Sequence, residues 1–298
     1  MAHSNKEEQM RMSNIIKLMR IHQYVKNLFI FLPLFFASRI TDAGLLLNAS
    51  IAFVAFSLAA SSIYTLNDYK DIEDDRQHPK KKGRPLASGV ISKRQAISIM
   101  VLLFVAGVAL MASLSLKATA ILLAYVSMNI AYSFYLKHVA ILDVNIIAIG
   151  FVLRLFIGSA VTGIPLSMWI VIMTFLLALF MALAKRRDDV LIYLNTGKKM
   201  RKVIDGYNLQ FLDAAMAIMA SVVIVAYTIY TTSVEVVERV QSEYLYLTGL
   251  FVIVGVMRYL QIAFVLKESG SPTRIVLQDH FMQLILLGWI IVFAWILY

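Results

Sequence analysis

Long apolar runs, broken by short polar stretches, make up most of this chain. They cover approximately 23–41, 44–66, 95–115, 118–136, 139–162, 165–184, 211–233, 244–266 and 280–298. Each is close to the roughly 20 residues that cross a hydrocarbon core as a helix. The pattern predicts an all-α integral membrane bundle of nine transmembrane helices. The polar connections alternate in character. The N-terminal stretch and the even-numbered connections hold Lys6, Arg11, Lys17 and Arg20, then Lys70 through Arg94, Lys137, Lys185 through Lys202, and Lys267 with Arg274. The other connections hold Arg39, Lys117 and Arg239 together with Asp42, Glu235, Glu238 and Glu243. The excess of basic residues on one side places the N-terminus in the cytosol and the C-terminus outside, which requires an odd number of spans.

Composition agrees with a membrane protein. The chain has 298 residues, of which 60% are hydrophobic and 15% charged, far from the usage of a soluble domain. There is no Cys, so disulfide and thiol chemistry are excluded. Met1 to Met12 is polar and lacks the apolar core of a cleavable signal, so the first span is expected to be retained. Residues 13–22 read as an amphipathic lead-in at the interface, with Ile15, Ile16, Leu18, Met19 and Ile21 against Lys17 and Arg20. The net charge of +10 sits at the cytosolic connections, where it attracts anionic lipid or anionic substrates. Nucleic acid is not expected, because the basic residues flank helix ends. The whole chain, 1–298, reads as one membrane domain: a cytosolic or interfacial segment at 1–22 and two long cytosolic loops at 67–94 and 185–210.

The chemistry concentrates where the second span ends. Asn67-Asp68-Tyr69-Lys70-Asp71-Ile72-Glu73-Asp74-Asp75-Arg76 is followed by His78-Pro79-Lys80-Lys81-Lys82-Gly83-Arg84-Pro85. If the helix continues, Asp68, Asp71 and Asp75 at i, i+3 and i+7 share one face, with Asn67 beside Asp71. Three carboxylates on one face repel, so the spacing points to a divalent cation. Hard oxygen ligands without nearby Cys or His suit Mg²⁺, which binds through one or two carboxylates plus substrate phosphates. The plainer alternative is a solvated acidic loop. Lys26 and Asn27 enter the first span, while Arg154 and Arg258 are cations inside membrane helices, which are costly unless they face a cavity or a partner. Arg154 is read as functional and Arg258 as a structural pair. Gly158, Ser159 and Ala160, close to Arg154, permit tight helix packing.

Acids that hold Mg²⁺, ringed by Lys and Arg on one membrane face, suit a diphosphate. Metal and fixed cations stabilise the charge that grows as a diphosphate leaves. The apolar helices beneath suit a lipid tail. The reaction class is therefore group transfer with a diphosphate leaving group and a lipid substrate.

Asn67-Asp68-xx-Asp71-xxx-Asp75, with Arg84-Pro85-Leu86-Ala87-Ser88-Gly89 after it and Arg20-xx-Gln23-Tyr24-x-Lys26-Asn27 before the first span, resembles the UbiA superfamily of intramembrane prenyltransferases over essentially the whole chain. Quinone-type members carry a second Asp-xxx-Asp after the sixth helix. Here that region reads Lys185-Arg186-Arg187-Asp188-Asp189. With Tyr132-Ser133-xx-Leu136-Lys137-His138, Asp143, Arg201-Lys202 and Tyr207, the chain is most similar to the decaprenyl-phosphate phosphoribosyltransferase branch. That resemblance implies transfer of 5-phosphoribose from phosphoribosyl diphosphate to a polyprenyl phosphate, with Mg²⁺, on the cytosolic side of the plasma membrane, for cell wall synthesis. Holding three phosphate groups needs more cation and less carboxylate, which is the direction of the departure. The acceptor phosphate is already ionised, so no general base is required.

The resemblance and the charge pattern together assign the site. Asp68, Asp71 and Asp75, helped by Asn67, hold Mg²⁺ on the donor diphosphate. Lys81 and Arg84 grip donor phosphates. Lys137, Lys185 and Arg186 take the 5-phosphate or the acceptor phosphate. Asp189 orients a ribose hydroxyl or a second metal. Arg154 and Lys26 line the acceptor headgroup route. Tyr132 and Arg201 complete the substrate-binding candidates, although a Tyr at a membrane boundary also serves as an anchor. Lys80, Lys82, Lys198 and Lys199 read as topology signals. The closest rival activity is attachment of an isoprenoid to an aromatic acceptor such as 4-hydroxybenzoate. A transporter, suggested by acid-and-base clusters after both the second and sixth spans, ranks lower because mid-membrane polar residues are few. Polyprenyl chain length and homo-oligomer formation are left open by the sequence.

Overall fold

The computed structural model describes residues 12–77, 81–199, 201–267, 275–276 and 278–297. Met1 through Arg11, His78, Lys80 and Arg274 lie outside the described residues. Among the described residues every regular element is helical. Among the described residues seven helices are long and apolar enough to cross a membrane: Ala43–Lys70, Lys93–Ala112, Leu142–Thr162, Met168–Thr196, Leu209–Thr232, Tyr244–Phe264 and His280–Leu297. Leu116–Phe134 is a further helix of 19 residues. Many large apolar side chains on these helices face outward, Trp295, Leu116 and Leu102 among them, as expected where the surrounding medium is lipid.

The first apolar run differs from the expected single α-helix. It forms a 3-10 element at Ile21–Phe31 followed by a short α-helix at Leu32–Phe36. Arg20, just before it, has a left-handed backbone with φ 54°. Pro33 has no N–H to give to a continuous α-helical ladder and sits in the first turn of the short helix instead.

The chain divides into two compact units. The first comprises Met1–Phe134 and Leu153–Pro165, the second Tyr135–Val152 and Leu166–Tyr298. In the first unit, Ala52, Ala55, Phe56, Ala59 and Ile63 of the Ala43–Lys70 helix are buried with Met111, Leu122 and Ile157. The alanines let backbones approach. A Cβ on Gly107 would meet the Ala55 carbonyl oxygen at 2.7 Å, and one on Gly158 would meet the Ile30 carbonyl oxygen at 2.1 Å. These are the small-residue contacts by which membrane helices pack. Asp42 caps the Ala43–Lys70 helix by accepting from the Gly44 and Leu45 N–H groups. Ser92 and Gln95 form a capping box at the start of Lys93–Ala112.

In the second unit, Phe180, Leu183, Leu212, Met216, Tyr259 and Ile262 share a core. Arg187 ties three helices there. Its Nε donates to Asp213 Oδ1 at 2.6 Å and its Nη1 to the Ala263 carbonyl at 2.6 Å. Ser167 and Asn208 cap the helices they precede, and Gly197 ends Met168–Thr196 in a left-handed turn.

Candidate active site

In the first unit the site forms at the end of the Ala43–Lys70 helix. Asp71 caps that helix, and Ile72–Gln77 follows at once. The helical ladder runs through the junction: Asp71 N donates to the Asn67 carbonyl at 3.0 Å and Asp75 N to the Asp71 carbonyl at 2.8 Å. The i, i+7 spacing therefore keeps Asp68 and Asp75 on one face. Both carboxylates are 2% exposed. Arg84 Nη1 lies 3.0 Å from Asp68 Oδ1 and 2.6 Å from Asp75 Oδ2. Arg20 Nη2 bonds the same Asp68 oxygen. Lys81 Nζ stands 3.9 Å from Asp75 Oδ1.

Packing fixes these cations. Leu86 and Ile91 of the 81–92 loop are buried with Ile72 and Leu18, and Arg76 Nε donates to the Ala87 carbonyl. The loop that carries Arg84 is thus pinned to Leu18 and to the Ile72–Gln77 helix. Arg20 lies 5.4 Å over the Tyr64 ring, and the neighbouring Met19 carbonyl accepts from Ser61 Oγ. Lys70 Nζ donates to the Ser133 carbonyl at 2.7 Å and sits 4.2 Å from the centre of the Phe134 ring.

Among the described residues no three His, Cys, Asp or Glu side chains form a ready-made metal cage. Two buried carboxylates do converge on one cationic nitrogen. That donor set fits a hard cation such as Mg²⁺, which keeps few protein ligands and completes its shell with water and phosphate oxygens.

Deeper in the same unit lies a buried cation. Arg154 is 4% exposed. Its Nε donates to Asn27 Oδ1 at 2.9 Å, and Asn27 Nδ2 donates to Ser57 Oγ at 2.8 Å. The guanidinium carbon is 4.7 Å from the Phe56 ring centre and 5.1 Å from that of Tyr125. Aromatic faces and a fixed amide dipole offset its desolvation. Arg258, by contrast, forms a two-pronged pair with Asp279.

The second unit carries its own buried charge cluster. Arg186 is 1% exposed and Asp143 is fully buried. Arg186 Nε donates to Asp143 Oδ2 at 2.5 Å and Nη1 to Asp189 Oδ2 at 2.9 Å. Arg201 Nε is 3.2 Å from that same Asp189 oxygen. Tyr207 OH donates to Asp143 Oδ1 at 2.6 Å and accepts from Ile141 N at 2.7 Å. Burial, reinforced by the bond to Asp143, holds the Tyr207 phenol well above its usual range. Asp189 is thus matched with two arginines, and Arg186 is committed to two acids.

The remaining candidates are placed as follows. Asn67, Asp71, Lys26, Tyr132 and Lys137 are half-buried, and Lys185 is exposed. Lys137 lies in the 3-10 turn Leu136–His138. The structure brings Asp68, Asp75, Lys81 and Arg84 together in one place and Arg186, Asp189 and Arg201 in another. It adds Arg20 to the first group and Asn27 to Arg154. Arg20 did carry a signal: it opens the run of polar residues that enters the first span.

Comparison with known proteins identifies the family. Residues 28–285 match the UbiA prenyltransferase family. A decaprenyl-phosphate phosphoribosyltransferase of Mycolicibacterium smegmatis is 32% identical, covering 93% of this chain and 90% of that protein. Another of Corynebacterium glutamicum is 29% identical, covering 93% and 84%. A UbiA homolog from Archaeoglobus fulgidus, solved with GPP and Mg²⁺, has the same fold, with a TM-score of 0.69 at 19% identity over 95% of this chain and 96% of that one. From its acidic face and basic surround to its helical frame, this chain belongs to the UbiA prenyltransferase family.

Proposed function

We propose that this protein transfers 5-phosphoribose from phosphoribosyl diphosphate to a polyprenyl phosphate, with Mg²⁺, and releases diphosphate. Nine crossings with a cytosolic N-terminus would set the site on the cytosolic face of the plasma membrane. The similarity to decaprenyl-phosphate phosphoribosyltransferases supports this choice of substrates. The observation that carries it is the weight of cation at the acids. Asp68 and Asp75 meet Arg84, Arg20 and Lys81, and Asp189, where a second metal would be sought, meets Arg186 and Arg201. One acidic pole and a surplus of cations suit a reaction with three phosphate groups.

Asp68, Asp71 and Asp75 are the residues to hold Mg²⁺, with Asn67 beside them. The metal, when bound, supplies Lewis-acid stabilisation of the leaving diphosphate. Arg84 and Lys81, and with them Arg20, bind donor phosphate oxygens by charge-assisted hydrogen bonds. Lys137 and Lys185 are assigned to the 5-phosphate or the acceptor phosphate. Arg186 acts as a positioning residue that fixes Asp143 and Asp189, and Asp189 presents an oxygen to a ribose hydroxyl. Arg154, with Asn27, and Lys26 lie along the acceptor route. The acceptor phosphate attacks without a proton acceptor, being ionised near neutral pH.

The test offers membranes containing the protein two pairs of substrates. One is labelled phosphoribosyl diphosphate with polyprenyl phosphate; the other is labelled prenyl diphosphate with 4-hydroxybenzoate. Label entering lipid from the first pair is expected. Product from the second pair alone would replace this reading with aromatic prenylation.

A further inference from the structure

We infer that Tyr207 is a positioning residue: its hydroxyl latches the 3-10 turn Lys202–Gly206 onto the start of the Leu142–Thr162 helix, holds Ile141 in a left-handed backbone, and so sets where the Lys137 turn stands for a substrate phosphate. The inference rests on the reading of Lys137 as a phosphate ligand, whichever substrate carries that phosphate.

The backbone at Ile141 carries it. Its φ is 71°, a region that a β-branched residue seldom enters because Cβ crowds the following carbonyl oxygen. The Ile141 side chain is 55% exposed, so its own packing does not hold the conformation. Val139, Ala140 and Ile141 offer no side chain that could cap the helix they precede. The conformation is held from outside instead. Ile141 N donates to Tyr207 OH at 2.7 Å, and that hydroxyl donates to Asp143 Oδ1 at 2.6 Å. Arg186 fixes Asp143 in turn through its other oxygen. From the helix, Asn145 N at 3.1 Å and Asn145 Nδ2 at 2.8 Å both donate to the Ile141 carbonyl. Backbone strain of this kind persists only where the surroundings over-determine it.

The latch sits next to Lys137 in the chain. Leu136–His138 is the 3-10 turn that carries Lys137, and only Val139 and Ala140 separate it from Ile141. The Lys202–Gly206 turn lies against that turn. The approach is close: a Cβ on Gly206 would meet the Ala140 Cβ at 2.6 Å. Without the Tyr207 hydroxyl, the Ile141 N–H loses its acceptor, and Ile141 can return to the backbone regions that isoleucine prefers. The residues joined to it, Lys137 among them, must then shift. Tyr207 touches no substrate in this role; it acts through Ile141 on Lys137.

The experiment has two arms, both on the full chain in detergent micelles. The first reads amide hydrogen exchange and needs no substrate. Tyr207→Phe, which keeps the ring, should speed exchange across 136–142 by about tenfold, as for the loss of one hydrogen bond, and leave the Leu209–Thr232 helix unchanged. Gly206→Ala should act in the same direction by pushing the segment off Ala140, and it carries the comparison should Tyr207→Phe fail to fold. The second arm reads turnover with whichever pair of the two-substrate test gives product. Tyr207→Phe should lower kcat/KM by about tenfold. Added to Lys137→Gln, it should cost no more than about twofold further. In an Ile141→Gly background, where a left-handed backbone carries no steric cost, the loss from Tyr207→Phe should shrink. Unchanged exchange at 136–142, or losses from Tyr207→Phe and Lys137→Gln that multiply in full, would overturn the inference. Product from neither pair would remove the reading of Lys137, while the exchange arm alone still decides whether the latch exists.

Discussion

Replacing Asp143 with Ala strips a buried arginine of its main partner. Arg186 is 1% exposed, and its Nε to Asp143 contact is 2.5 Å. At charge separations of about 4 Å and an effective dielectric near 20, the gross attraction is about 4 kcal/mol. Removing one partner of such a pair leaves the other charge buried and costs about 3–5 kcal/mol. Tyr207 also loses the acceptor for its hydroxyl, which adds about 1 kcal/mol. Asp189 still holds Arg186 through Nη1, so the loss stays near the lower end, about 4 kcal/mol in all. In a chain of this size that lowers the melting temperature by about 10 °C. Scanning fluorimetry of the detergent-solubilised protein reads the shift directly. Asp143→Asn keeps an acceptor for Tyr207 and should fall between the two. A melting temperature within about 2 °C of wild type for Asp143→Ala would refute the claim that this ion pair stabilises the folded protein.

Three further outcomes follow from the geometry. Asp71→Ala should abolish turnover while folded protein still accumulates in the membrane; turnover like that of wild type would remove Asp71 from the metal site. Gly158→Ala brings a methyl group against the Ile30 carbonyl, 2.1 Å from the ideal Cβ, and should cost about 1–3 kcal/mol of stability by thermal unfolding. The Tyr207 phenol is held above its usual range in the folded state, so its share of stability is complete below a pH of about 10 and fades as the pH rises further. A melting-temperature profile from pH 8 to 11 should therefore fall less steeply at its alkaline end for Tyr207→Phe.

Much of the frame was legible from residue spacing. Apolar runs give the helices directly, since lipid demands internally satisfied backbone. The exception, 23–41, became a 3-10 element and a short helix because a proline interrupts it and polar side chains enter it. The i, i+7 spacing of Asp68 and Asp75 placed two acids on one face, because local helical geometry alone decides that. What occupies those acids was not legible. Arg20 is 48 positions from Asp68, and only folding of the interfacial segment brings them together. Likewise the run from Lys185 to Asp189 looks uniformly available for substrate. Yet the helix turns Arg186 and Arg187 inward, toward acids 43 and 26 positions away, while Lys185 stays exposed. Charge along a sequence shows where chemistry can occur; burial decides which of those charges are already spent.

The central claim is that the bond between ribose and diphosphate breaks as lipid phosphate takes the sugar. The most direct measurement follows two labels in one reaction, carbon in the ribose and phosphorus in the diphosphate of the donor, with polyprenyl phosphate as acceptor and Mg²⁺ present. The account predicts that ribose label enters the lipid while an equal amount of phosphorus label appears as inorganic diphosphate. Both labels moving together into lipid, or neither leaving the donor, would contradict it.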